Sequence, residues 1–165
     1  MPDPKLPAYD ELPKTEGKIP SAWSIFGADD NLGLMNLLTP ERIAAAAKLV
    51  KRGAVFSLNA SLDAVAPAMF SRGTPRHTVI TVAKGRSTDD VIDNLYPQAS
   101  SQWDSLAHVS FDFKQFYNGA SLDDITSGRR NTIDHWARRG IAGRAVLLDL
   151  QRSQAETGDA YNPGT

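Results

Sequence analysis

Apolar positions along this chain fall into short, separated runs, and each run suggests a different element. From Thr39 to about Lys51, Ile43, Ala47 and Val50 recur at helical spacing. Thr39 suits the N-cap, Pro40 the first helical position, Glu41 the positive end of the helix dipole, and Gly53 the residue just past the end. Ala54 to Leu58 alternates as a strand, with Phe56 and Leu58 on one side, and Thr78 to Val82 is a β-branched strand. Between them, residues 59–77 have the glycine and proline density of a long loop. Lys84 to Asn94 suggests a polar turn with a short helix, and Leu106 to Phe113 a strand of weak alternation. Ser121 and Asp124 have the spacing of a capping box, Asp replacing the usual Glu, for a helix of one or two turns. Asn131 to Arg139 is a short helix stopped by Gly140, and Arg144 to Leu150 (RAVLLDL) is the clearest buried strand.

This order divides the chain into an extended, proline-rich arm at residues 1–20, a mixed α/β domain at 21–150 and a polar coil tail at 151–165. Within the domain, residues 23–42 form a non-regular segment anchored by Trp23, Ile25, Phe26, Leu34 and Met35. At 165 residues there is enough chain for one core. With 18 basic and 19 acidic residues, no cation cluster exceeds Arg129-Arg130 or Arg138-Arg139, which argues against nucleic acid as a partner. No apolar run reaches the roughly 18 residues of a membrane span, and the polar N-terminus is no secretory signal. Zero cysteines exclude thiolate chemistry and fit a cytoplasmic location.

Chemically useful side chains concentrate between Tyr96 and Gly119. Asp104 and His108 stand four apart, so a carboxylate could orient an imidazole that titrates near neutrality; a buried, merely hydrogen-bonded histidine is the competing reading. Gln98 and Gln102 could donate amide hydrogens to a substrate carbonyl, and Trp103 could stack on a planar ligand or anchor the core. Ser100 and Ser101 lack the elbow of a serine nucleophile, leaving Ser101 a binding role. Tyr117 and Asn118 precede Gly119 in a turn that could line the same pocket. His77 and His135 are better explained by surface or packing roles, whereas Asp149 ends the best strand, where α/β proteins often present polar side chains to a crevice.

The stretch QASSQWDSLAHV resembles the cyclase family that includes bacterial metal-dependent kynurenine formamidases and isatin hydrolases. FGADDNLGLMNLLTPERIAAAAKLVKRGAVFSL, Phe116-Tyr117-Asn118-Gly119 and GIAGRAVLLDL extend the resemblance over roughly residues 20–150. It implies a swivelling β/β/α fold lacking the usual C-terminal part, a small-molecule substrate and a divalent ion, zinc or manganese. The family pattern His-x-Gly-Thr-His-x-Asp-x-x-x-His falls on this chain with Gln98 and Gln102 in place of two histidines and Ser100-Ser101 in place of Gly-Thr. Asp104 matches the metal-binding aspartate and His108 the terminal histidine, the family's acid/base. Asp104 is thus the only strong metal ligand left in the first cluster, and amides are poor substitutes for imidazole.

Three functions are open at this level. The first is His108/Asp104 acid–base chemistry on a small planar carbonyl compound (isomerisation, cyclisation or dehydration) without a tightly bound metal. The second is a metal-dependent amidohydrolase whose ligands a partner subunit completes. The third is a non-catalytic binding protein retaining the fold. A sheet without its later strands would expose an edge and an apolar face, so a homodimer or larger homo-oligomer is expected.

Overall fold

The computed structural model describes residues 6–15 and 19–158. The expectations for an arm at 1–20 and a tail at 151–165 therefore fall partly outside the described residues. Within the arm, a turn of 3₁₀ helix at Tyr9–Glu11 is followed by a short antiparallel pair, β1 (Lys14–Thr15) and β2 (Ile19–Pro20).

Local signals give the helices. In α1 (Pro40–Ala47) the Thr39 hydroxyl accepts from the Arg42 N–H, and Pro40 occupies the first turn. The helix stops at Ala47, short of the expected Lys51, and turn-type bonds from Lys48, Leu49 and Val50 tighten its end. α2 (Leu122–Thr126) carries the complete Ser121/Asp124 capping box. α3 (Ile133–Arg139) ends at Gly140, whose φ of 75° lies where glycine is favoured.

The larger sheet is a hairpin, β3 (Arg76–Val82) with β4 (Ser87–Asp93), in antiparallel register from Arg76↔Asp93 to Val82↔Ser87. β4 replaces the polar turn and short helix expected at 84–94. Its three aspartates disguise the strand, yet Thr88, Val91 and Ile92 are β-branched, and the Arg76–Asp93 ion pair (3.0 Å) and the His77–Asp90 side-chain contact (2.5 Å) tie it to β3. Only residues 83–86 form the tight connection.

Three expected strands are absent among the described residues. Residues 54–58 join no ladder, and Val55 and Leu58 are 93% and 90% exposed. Residues 106–113 are turns; Phe113 has φ 63° and is fully exposed. RAVLLDL has no strand partners up to Asp149, with Leu147 88% exposed. A run apolar on both sides is stable as a strand only when flanked and covered, and no described segment flanks it. The tail is corrected too: Leu150–Thr157 form α4, with the Asp149 carboxylate accepting from the Arg152 N–H and Gly158 left-handed at the end.

Full burial is sparse among the described residues. Ala99, Ala120, Gly33 and Asn131 are buried among the described residues. Mixed α/β architecture with a small sheet and several helices is the result.

Candidate active site

Two loops build the frame of the site. Residues 23–37 and 116–131 lie far apart in sequence and are knotted by side-chain hydrogen bonds. The Asp30 carboxylate accepts from the Gly33 N–H (2.7 Å), the Asn36 amide (2.6 Å) and the Tyr117 hydroxyl (3.0 Å). Asn118 accepts from the Ser24 N–H (2.7 Å) and donates to the Gly27 and Asp30 carbonyls. Asn131, 1% exposed, donates its side-chain amide to the Tyr117 carbonyl and its backbone N–H to Asn31, each at 2.8 Å. Asn118 and Asn131 have φ of 55° and 63°, which asparagine tolerates better than most residues with a Cβ. Gly33 (φ 57°) lets the first loop approach Leu106, whose Cδ1 would lie 3.3 Å from a Cβ built there.

Against this frame lies a cavity of about 330 Å³ lined by Trp23, Asp104, Leu106, His108, Phe111 and Tyr117, with Ser105, Val109 and Ser110 at its margins. A second cavity of about 230 Å³ shares Trp23, Phe111 and Tyr117 and continues toward Ile19 and Pro20. Trp23 and Phe111 meet edge to face, centroids 6.1 Å apart, so the shared wall is aromatic. The His108 Nε2 stands 3.9 Å from Asp104 Oδ1, within ion-pair reach and beyond hydrogen-bond length. Both side chains are partly open to solvent, at 31% and 47% exposure. Gln102 donates its amide to the same Asp104 oxygen at 2.7 Å. Burial, and then the Asp30 carboxylate, push the Tyr117 phenol well above its ordinary range, so it is a neutral donor at any physiological pH.

Of the residues singled out from sequence, Asp104, His108 and Tyr117 line one cavity, and Gln102 reaches it through Asp104. Gln98 offers its backbone carbonyl to Arg72, 2.9 Å away, and is not among the lining residues. Trp103 packs edge-on against Trp136 outside the cavity, Ser101 is exposed, and Asn118 serves the loop knot. Sequence reasoning missed Phe111 as a wall, Trp23 as more than an anchor, and the Asp30–Tyr117 bond. The GADDN turn beside Trp23 was the available signal, but nothing local tied it to Tyr117.

Among the described residues no three His, Cys, Asp or Glu side chains converge on a point. Among the described residues lining the cavity the carboxylate is Asp104, which accepts from the Gln102 amide.

One solved structure, described as the crystal structure of a novel cyclase, is similar to this chain. The two are 37% identical, and the match covers 66% of this chain with a TM-score of 0.57. The match covers 40% of that cyclase's own length. No family model matches the chain. No curated protein matches it. The fold is therefore related to that of a solved cyclase, with no identifiable metal-binding cluster among the described residues. No helix among those residues is long and apolar enough to cross a membrane.

Proposed function

We propose that the chain carries a cyclase-like acid–base site acting on a small planar carbonyl compound, with isomerisation, cyclisation or dehydration as the reaction class. The observation that carries the reading is the imidazole of His108 and the carboxylate of Asp104 on one aromatic-walled cavity. In this reading His108 takes a proton from the substrate and returns it at a second atom. Asp104 lies where an imidazolium formed during turnover would face it, and Gln102 holds the carboxylate in that orientation. A flat substrate lies against Trp23 and Phe111, and Tyr117 closes the third side. Such proton transfer needs no ion in the first cluster, and positioned acid–base help is worth about 10²–10⁴-fold.

The test is turnover of a panel of small planar carbonyl compounds, followed by His108→Ala on whichever is consumed. Loss of kcat by about 10²-fold or more is expected, with unchanged kcat overturning the assignment. A chelator arm separates the readings: insensitivity fits acid–base chemistry, and abolished turnover restored by zinc or manganese would favour the amidohydrolase instead.

A further inference from the structure

Removing a proton beside a carbonyl takes a second group besides the base. As the C–H bond breaks, its electron pair enters a new C=C bond and the carbonyl pair moves onto oxygen. A hydrogen-bond donor already in place at that oxygen stabilises the charge that develops there. Five polar side chains border the cavity of about 330 Å³: Asp104, Ser105, His108, Ser110 and Tyr117. Their own hydrogen bonds decide which of them has a proton to offer.

Tyr117 is the obvious donor, but its hydroxyl is committed to the Asp30 carboxylate at 3.0 Å. A phenol carries one proton, so Tyr117 has only acceptor lone pairs left. The Asp104 carboxylate is an acceptor, already held by the Gln102 amide, and His108 as the base presents a lone pair. Two serines remain. Ser110 makes no side-chain hydrogen bond among the described residues, so nothing there fixes its hydroxyl. Ser105 differs: its Oγ accepts from the Ala107 N–H at 3.2 Å, and its own proton has no acceptor among the described residues. An anchored oxygen with a free proton is a pre-oriented donor. The Ser105 carbonyl also accepts the His108 N–H at 3.1 Å, so carboxylate, donor and base belong to one turn, residues 104–108.

We propose that Ser105 is a catalytic residue of this site, its hydroxyl donating to the carbonyl oxygen of a planar ligand while His108 takes a proton from the adjacent carbon. The proposal rests on the acid–base reading and deepens it. The substrate is a carbonyl compound with a removable α-proton, and the intermediate is an enolate whose oxygen faces Ser105. No co-reactant is needed, because the imidazolium returns its proton to the enolate. The polar edge of the ligand lies along the 104–108 turn, and its flat face lies against Trp23 and Phe111.

The probe is 1-indanone, a planar ketone with protons on its α-carbon, and the whole chain is used. In D₂O at neutral pD, NMR should show those protons exchanging for deuterium faster than in buffer. His108→Ala should abolish the exchange. Ser105→Ala should lower kcat about 10²-fold while KM moves less than about threefold, and Ser105→Thr, which keeps the hydroxyl, should recover most of the loss. Unchanged kcat in Ser105→Ala beside an inactive His108→Ala overturns the donor and leaves the base standing. A loss in Ser110→Ala with Ser105→Ala unaffected moves the donor to Ser110 and equally rejects the assignment.

The infrared carbonyl stretch of bound 1-indanone reads the hydrogen bond without turnover. In the unsubstituted chain and in His108→Ala it should stay at or below its frequency in water. In Ser105→Ala it should rise toward its frequency in an apolar solvent. A carbonyl already at the apolar frequency in the unsubstituted chain overturns the proposal even if Ser105→Ala fails to fold. A hydrogen-bonded carbonyl that relaxes in Ser105→Ala, without any exchange in the unsubstituted chain, keeps the donor and rejects the base, so the two failures separate. No binding at millimolar concentration removes the carbonyl ligand from this cavity and overturns both.

Discussion

The loop knot and the two open stretches satisfy their backbones in opposite ways. In the knot, irregular chain is specified by side chains: Asp30, Asn31, Asn118 and Asn131 hydrogen-bond across separations of about ninety to a hundred residues. In residues 54–58 and 144–147 the side chains are the kind sheets are made of, yet nothing among the described residues hydrogen-bonds to the backbone. Polar side chains can finish a loop from within one molecule, because each amide brings its own donor and acceptor. An apolar strand cannot finish itself, since its ladder needs another strand and its faces need cover. The candidate site therefore rests on the region this chain completes alone.

The largest effect should come from cutting the knot. Asn131→Ala removes the shorter of two hydrogen bonds to the part-buried Tyr117 carbonyl, leaving the Ala120 N–H at 3.4 Å, and puts a residue with no side-chain amide at φ 63°. A lost hydrogen bond costs about 0.5–1.5 kcal/mol and the left-handed conformation about 1–2, so a loss of about 2 kcal/mol is expected. Urea unfolding at constant m-value measures it. Asn131→Gly should recover the conformational part and no more. A loss below about 1 kcal/mol for Asn131→Ala would show that the two loops hold together by other means.

Helix ends were legible in the sequence because their determinants are local. Thr39-Pro40, Ser121 with Asp124, and Gly140 each act within one turn, and α1, α2 and α3 begin or end there. Strands were legible only when both chemistry and partner were nearby. β3 announces itself with Thr78, Val79, Ile80 and Val82, whereas β4 hides Val91 and Ile92 among aspartates that Arg76 and His77 partner across the strands. RAVLLDL encodes a demand for burial, but a demand does not say which polypeptide meets it. The same limit applies to the site. Asp104 and His108 could be read as a pair from spacing alone, while Trp23 joins Phe111 across 88 positions through a fold that no short window contains.

An intermediate effect tests the polar region at its edge, where α2 starts. Asp124 accepts from the Ser121 hydroxyl (2.7 Å) and N–H (3.0 Å), and Arg129 donates to its other oxygen. These bonds, the Ser121 hydroxyl first, bring its pKa from 3.8 down to about 2. A folded-state value below the unfolded one means the unfolded chain binds the proton more readily. The contribution to stability is thus complete above about pH 4–5 and lost as pH falls through about 2. Asp124→Asn should flatten the melting temperature across that acid window, and Ser121→Ala should cost about 1 kcal/mol near neutrality. An acid limb of unchanged slope in Asp124→Asn would place the titration elsewhere.

The smallest effect should come from the open stretches, and its smallness is what distinguishes them. A fully buried leucine stabilises a fold by about 1.5–3 kcal/mol, but Leu147 keeps 88% of its exposure within one chain. Leu147→Ser, measured at concentrations where the chain is monomeric, should move the unfolding free energy by no more than about 0.5 kcal/mol. At higher concentration the same substitution should remove any rise of melting temperature with protein concentration, because burial is then supplied by association. A loss above about 1.5 kcal/mol in the dilute chain would mean that residues 144–148 are covered from within the molecule, and the contrast between a self-completed knot and an uncompleted strand would fail.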